Sequence, residues 1–399
     1  MSLDRLLAEA RAELDRTIAL RRRIHERPEL GLVLPETQRA VLDELADLDC
    51  EIATGGETSA VVATLAGARP GPTLLLRADM DALPMEEQTE LTFASREAGR
   101  MHACGHDAHV AMLAGAARLL ARRRAEFAGT VKLLFQPGEE GFGGARILLD
   151  EGLLDAAPRV DAAFAIHVDS SLPAGHVALR GGPILAAGDV LSIDVVGRGG
   201  HASMPHLAAD PIPVACEIVM ALQSFVTRRA DAFDPIVVTV TRIQAGSAGN
   251  VIPPTAHLLG TIRSVSERAR EAAHDGVRRV AEGIAAAHGL DAKVHVVPGY
   301  PVTVNDDGFA RFARGVAHEL VGDGAVLDMR APIMGAEDFS YILQRVPGSI
   351  VFLGVRPPAA RPEPLHSSRM QVHEEALATG VALHAAVALR WLAAAATPA

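Results

Sequence analysis

Within eight consecutive positions, 102 to 109, the chain places three histidines, a cysteine and an aspartate: His102, Cys104, His106, Asp107 and His109. Cys104 and His106 flank Gly105, whose conformational freedom lets a thiolate and an imidazole turn toward one ion. Soft sulfur beside nitrogen suits zinc and other divalent first-row metals. An isolated Cys-x-His also fits a buried thiol beside a helix-capping imidazole; the density of donors favours the metal. Glu139-Glu140 follows an apolar run and sits between QPG and GFGG. Two carboxylates there are costly if they face a core. On a shaped loop they diverge, one toward a cation and one toward protons. The bland alternative is an exposed acidic turn. His167 and His366 are each ordinary as single histidines. They gain weight because a metal site needs ligands from several strands. Further on, His201 follows Gly199-Gly200, Asn250 follows Gly249, and Arg263 lies in the run GTIRS. These supply an imidazole, an amide and a guanidinium at turns that would equally serve as hairpins or helix entries.

The surrounding pattern says what must hold these groups. Leu3, Leu6, Leu7, Ala10, Leu14 and Ile18 recur at helical spacing. A helix is expected from Glu36 to about Leu48 and a long Ala/Leu helix over roughly 109–123. Strands are expected at 59–65, 73–78, 130–135 and 162–168, with a helix near 145–151. This alternation is that of an α/β sheet flanked by helices, with the chemistry at strand ends. Near Ala186 the pattern changes to strand 189–196, helix 209–228, strands 235–243 and 256–264, helix 267–288 and strand 293–297. That order, β-α-β-β-α-β, reads as a ferredoxin-like domain inserted at 187–298 into a catalytic α/β domain formed by 1–186 and 299–399. The α/β pattern then resumes with helices at 308–321, 337–344 and 374–391 and a strand at 349–354.

Composition narrows the partners. A chain of 399 residues exceeds what one core usually absorbs. The formal net charge of -11 argues against nucleic acid. Cys50, Cys104 and Cys216, three widely spaced cysteines, make no disulfide framework and suit a reducing compartment. The N-terminus lacks the apolar stretch of a signal peptide, and no run approaches the ~18 apolar residues of a membrane span. A cytoplasmic protein without membrane partners is expected.

The ordered blocks carry a resemblance over nearly the whole chain: HERPELG, RADMDALPMEE, MHACGHDAHVAML, FQPGEEGFGGA, AIHV, GRGGHASMPH, GNVIPP, GTIRS, GAEDFS and a late LHS. The chain resembles the aminoacylase, hippurate hydrolase and indole-acetyl-amino-acid hydrolase group of dinuclear metallo-amidohydrolases. That group is related to the zinc carboxypeptidases with a separate dimerisation domain. The resemblance implies two divalent ions per subunit (Zn, Mn, Co or Ni), held by Cys104, His106, Glu140, His167 and His366, with Cys104 bridging. It implies Glu139 as general acid/base and Asp81 as a residue that orients a ligand without binding metal. Asp79 would not be a ligand. His201 would stabilise the oxyanion, in cis or across a dimer, while Asn250 and Arg263 would contact the substrate. The substrate implied is a small N-acyl-amino acid and the assembly a homodimer formed through the inserted domain, acting as a lid. A dipeptidase or carboxypeptidase on the same scaffold is the nearest rival. A non-catalytic metal- or ligand-binding protein is the rival of another class.

Overall fold

The computed structural model describes residues 3–358, 361 and 363–395. Two compact units form: Met1–Gly182, Val304–Arg330 and Tyr341–Ala399 make the first, and Pro183–Thr303 with Ala331–Ser340 the second.

The first unit is built on an eight-stranded mixed sheet. Its order is Glu51–Thr54, Val61–Ala66, Ala128–Gln136, Arg69–Asp79, Ala162–Pro173, Gly348–Arg356, Val177–Leu179, Val326–Asp328. The four central strands run parallel to one another. They are nearly continuous apolar runs, as strands covered on both faces must be. Two helices, His106–Ala121 and Leu377–Ala395, are buried almost all round. Small residues let them approach: a Cβ on Gly380 would stand 1.9 Å from Met112 Sδ, and one on Gly115 would stand 2.6 Å from Val381.

That last helix corrects the expectation of no membrane-length run. Glu374–Ala395 is long and apolar enough to cross a membrane, with mean hydropathy 1.5, but 78% of the window is buried inside the structure. A helix apolar on every face is one packed on every face. Here the packing is the core of the first unit.

The second unit carries the four-stranded antiparallel sheet Ile236–Ala245, Thr255–Ser264, Ala187–Val196, Asp291–Val297, in that order. Its two helices are Pro211–Arg229 and Glu267–Ala287. Ala269, Ala273, Val277, Ala281 and Ala285 form one buried stripe of the latter. Asp210 and Ser266 cap the helices through Ile212 N and Ala269 N, each cap contributing about 1 kcal/mol.

Two sequence expectations change here. The segment Ala331–Ser340 belongs with the second unit rather than with the resumed α/β pattern. The reason is backbone pairing: Ala186 N donates to Ile333 O and Gly335 O, and Ile333 N donates to Ile184 O. The helix expected at 337–344 shrinks to Ser340–Leu343. Glu337 turns its own carboxylate onto Phe339 N at 2.9 Å, which competes with the first helical turn.

Candidate metal centre

The chemistry-bearing segments of the first unit follow the carboxyl ends of its parallel strands, where open sheets leave a crevice. Arg69–Asp79 leads to Asp81, Ala128–Gln136 leads to Glu139 and Glu140, and Ala162–Pro173 carries His167. Gly105 has φ +79, and a Cβ there would lie 2.4 Å from Val168 Cγ2. Glycine is therefore required between Cys104 and His106 both by backbone conformation and by space. His366 reaches the centre with φ +65, a backbone that non-glycine residues rarely adopt. Its N–H is tied to Ala103 O at 2.9 Å.

Cys104, His106, Glu140, His167 and His366 converge. Cys104 Sγ lies 3.6 Å from His167 Nε2 and 3.3 Å from His366 Nε2. His366 Nε2 lies 3.4 Å from Glu140 Oε1. Donor atoms of Asp79/His106/His109 and of His106/Glu139/Glu140 lie within 4.8 Å of one another, and so do those of two further groups, Cys104/His106/His167 and Cys104/Glu140/His366. The latter two share one atom, the Cys104 sulfur. His106 and His167 present Nε2 because Nδ1 is committed elsewhere: His106 Nδ1 to Asp81 O at 2.8 Å, His167 Nδ1 to Val168 O at 2.7 Å. Such outer partners fix the tautomer of a ligating imidazole. His106 Nε2 is a buried atom with no hydrogen-bond partner among the described residues, and buried Glu140 Oε1 meets His366 Nε2 at 3.4 Å. Soft sulfur, imidazole nitrogen and carboxylate oxygen with an uncommitted buried nitrogen fit one or two divalent cations.

The electrostatics agree. Burial pushes the Cys104 thiol up, but the facing His167 and His106 imidazoles outweigh it and bring the thiol down to about 6. Hydrogen bonds to Cys104 and Glu140 hold His366 up at about 10. Burial also opposes ionisation of Glu140, yet His366 and His106 draw it below the usual carboxylate range.

Glu139 is nearly buried beside Glu140. The Asp81 carboxylate accepts the backbone N–H of Glu139 with one oxygen and that of Glu140 with the other, each at 2.9 Å. Asp81 thus grips the Glu139-Glu140 turn with its carboxylate and His106 with its carbonyl.

Three further groups were not legible as partners. His109 Nδ1 meets Asp79 Oδ1 at 2.5 Å, and its Nε2 accepts Val168 N–H at 2.8 Å. Burial holds this imidazole down at about 4. Arg21 and His25 of the helix Leu14–His25 grip Asp107 at 2.7 and 2.8 Å, and Arg21 also reaches Glu374. The residues joined are 86, 82 and 353 positions apart, so spacing gives no signal for them.

His201, Asn250 and Arg263 lie in the second unit. The pair Gly200–His201 runs antiparallel to Val251–Ile252, which sets His201 beside Asn250, both exposed. His201 Nδ1 accepts Ser203 N–H at 3.1 Å, leaving Nε2 as the protonated nitrogen of the neutral ring. Arg263 is half-buried, flanks Gly188, and forms no ion pair among the described residues. It stands near the opposite end of Thr255–Ser264 from Asn250, eight residues from Thr255, or about 26 Å at 3.3 Å per residue. The structure brings His201 and Asn250 together and keeps Arg263 away from both.

A thiolate-imidazole-carboxylate centre with an adjacent carboxylate, set at the strand ends of a mixed sheet, defines a metallohydrolase. The profile of peptidase family M20/M25/M40 matches residues 75–390, and the chain belongs to that family. It is 40% identical to thermostable carboxypeptidase 1 of Saccharolobus solfataricus, over 98% of each chain. It is also 40% identical to an N-acetylcysteine deacetylase of Bacillus subtilis strain 168, over 91% of this chain and 93% of that one. Among solved structures it resembles a dinuclear metal-binding peptidase of family M20 from Bacillus subtilis. The identity is 37% and the TM-score 0.82, covering 96% of this chain and 99% of that one. The chain is a hydrolase of this family.

Proposed function

We propose that the protein hydrolyses the amide bond of N-acyl-amino acids, releasing a carboxylic acid and a free amino acid. The observation that carries the proposal is the Cys104 sulfur shared between two three-donor groups, with Glu139 beside them. Cys104, His106, Glu140, His167 and His366 would hold two divalent ions (Zn, Mn, Co or Ni). When bound, these supply Lewis acidity, lowering the pKa of water toward ~7 and stabilising charge on a carbonyl oxygen. Glu139 takes the proton of the attacking water and returns it to the departing nitrogen. Asp81 keeps Glu139 in place through its backbone. Arg263 is the partner offered to a substrate carboxylate, and His201 Nε2–H is a donor for the developing oxyanion.

No small amide spans the separation between Arg263 and His201 of one chain. That supports a homodimer in which the two residues of one chain serve different substrate molecules. The second unit offers a surface for it. Ile236–Ala245 is an edge strand with Val237 and Ile243 exposed, and Met220 on the neighbouring helix is 69% exposed. Pairing two such edges across a two-fold axis protects both.

Similarity to the carboxypeptidase favours a second reading on the same scaffold. Both reactions cut the amide on the amino side of a free α-carboxylate and differ in what lies beyond the carbonyl. The test is hydrolysis by the metal-loaded protein of acetyl-, benzoyl- and indole-acetyl-amino acids against dipeptides and longer peptides. Turnover of the acyl-amino acids at least tenfold above every peptide is expected. Preference for peptides overturns the proposal in favour of the second reading.

A further inference from the structure

We propose that His109 is a positioning residue of the metal centre: its ring, bonded on one side to Asp79 and on the other to the backbone of Val168, sets the segment that carries His167 and steadies the Cys104–His106 turn. The inference rests on the metal reading above and deepens it.

His109 lies one turn after His106 on the helix His106–Ala121 and is 1% exposed. Its ring centroid is 4.7 Å from that of His167 and 5.4 Å from that of His106. Position and residue type alone would make it a further ligand. The hydrogen bonds exclude that role, because both ring nitrogens are committed. Nε2 accepts Val168 N–H, so Nδ1 carries the proton and donates it to Asp79.

The reason for a histidine here is a gap in the sheet. The strands Arg69–Asp79 and Ala162–Pro173 pair from Leu74–Ala162 to Arg77–Ala165, and there their pairing stops. Beyond that point Val168 N–H has no backbone partner on the departing strand, and a buried amide left unpaired is costly. His109 places its ring between the two strands and joins the Val168 amide to the Asp79 carboxylate. Asp79 is itself held: Arg77 Nη1 donates to Asp79 Oδ2 at 2.6 Å, and Arg77 Nε donates to Gln136 Oε1 at 2.9 Å. These side chains are 2% exposed or less.

Val168 is where this support meets the centre. Its N–H goes to His109. Its C=O accepts His167 Nδ1–H, which turns His167 Nε2 toward Cys104. Its side chain fills the space beside Gly105, between Cys104 and His106. A shift of Val168 moves three donors at once.

The role needs an acceptor at one end and a donor at the other. Glutamine supplies both and leucine neither. His109→Leu and His109→Gln are loaded with cobalt(II). Metal affinity is read by competition with a chromophoric chelator, and geometry by the thiolate-to-cobalt absorption and the d–d bands. His109→Leu is expected to weaken binding by about ten- to a hundredfold, the range for lost outer partners of a ligand, with altered bands. His109→Gln is expected to restore native bands and most of the affinity. Native affinity and spectrum in His109→Leu overturn the proposal, as does a His109→Gln protein as impaired as His109→Leu. Nitrogen-15 spectra of histidine-labelled wild-type protein, with and without zinc, give a readout independent of whether the leucine variant folds. His109 is expected protonated at Nδ1 and bare at Nε2 in both. A zinc-shifted or protonated Nε2 overturns the proposal. Failure of wild-type protein to bind cobalt would sink the metal reading instead, while the metal-free spectra still report the hydrogen-bond arrangement.

Discussion

Asp81 Oδ1 accepts the backbone N–H of Glu139 at 2.9 Å, and the other oxygen of the same carboxylate holds the next amide. The residue proposed to handle protons is thus placed through its main chain. Asp81→Ala removes the grip on both amides while sparing the carbonyl that takes His106. Turnover is expected to fall by about ten- to a hundredfold, with metal affinity falling less. Steady-state kinetics beside metal titration check the split. Unchanged turnover at native metal content would refute it.

Glu139 and Glu140 are adjacent, and the proposed function gives them different tasks, the first with protons and the second with metal. Glu139→Gln is expected to keep its metal and lose two or more orders of magnitude in turnover. Glu140→Gln is expected to lose metal, with activity partly recovered at high metal concentration. Elemental analysis of both variants after gel filtration decides the matter. Equal metal loss in the two would contradict the division.

His201 offers Nε2–H because Ser203 occupies Nδ1. His201→Ala is expected to lower turnover roughly a hundredfold or more, the scale of one lost oxyanion donor, with metal content unchanged. In the proposed homodimer, mixing it with Glu139→Gln protein would make heterodimers in which one site has an intact Glu139 and an intact His201 from the other chain. Random assortment would restore about a quarter of wild-type activity. No recovery after verified subunit exchange would mean that His201 acts in its own chain, or not at all.

His384 is wholly buried in the last helix, and burial holds its pKa down at about 3. An unfolded histidine titrates near 6.5. Between these values the unfolded chain binds more protons, so stability rises with pH across that window and is flat above it. From pH 8 to pH 5 this one group costs about 2 kcal/mol. His384→Leu is expected to shrink the difference in unfolding free energy between those two pH values by about that amount. Denaturant unfolding at each pH measures it. An undiminished difference would refute the assignment.

The side chains that converge on Cys104 were legible as candidates because their types cluster in short motifs at the ends of apolar runs. The long helices and the central strands were legible because their apolar periodicity is strong. What the sequence concealed depends on distance. Glu374 meets Arg21 across 353 positions, and no local pattern announces such a pair. His109 looked like one more donor, and only the divergence of two strands reveals what its ring supports. The segment 331–340 was misplaced because its allegiance lies in backbone hydrogen bonds to 184–186, which carry no side-chain signature. The stub at Ser340–Leu343 looked like a longer helix because Glu337 is a good helix former until its carboxylate finds Phe339 N.

Cys104 and His366 touch although 262 residues separate them in the chain. At a synthesis rate of ~5–20 residues per second, the thiol leaves the ribosome roughly 13 to 50 s before its partner imidazole. The last helix, which packs against the helix after Cys104, emerges later still. The group Cys104/Glu140/His366 therefore closes only late in synthesis, whereas Cys104/His106/His167 has all its residues earlier. A nascent chain carries the Cys104 thiol without the later imidazole that meets it, and any product truncated before His366 lacks the group Cys104/Glu140/His366.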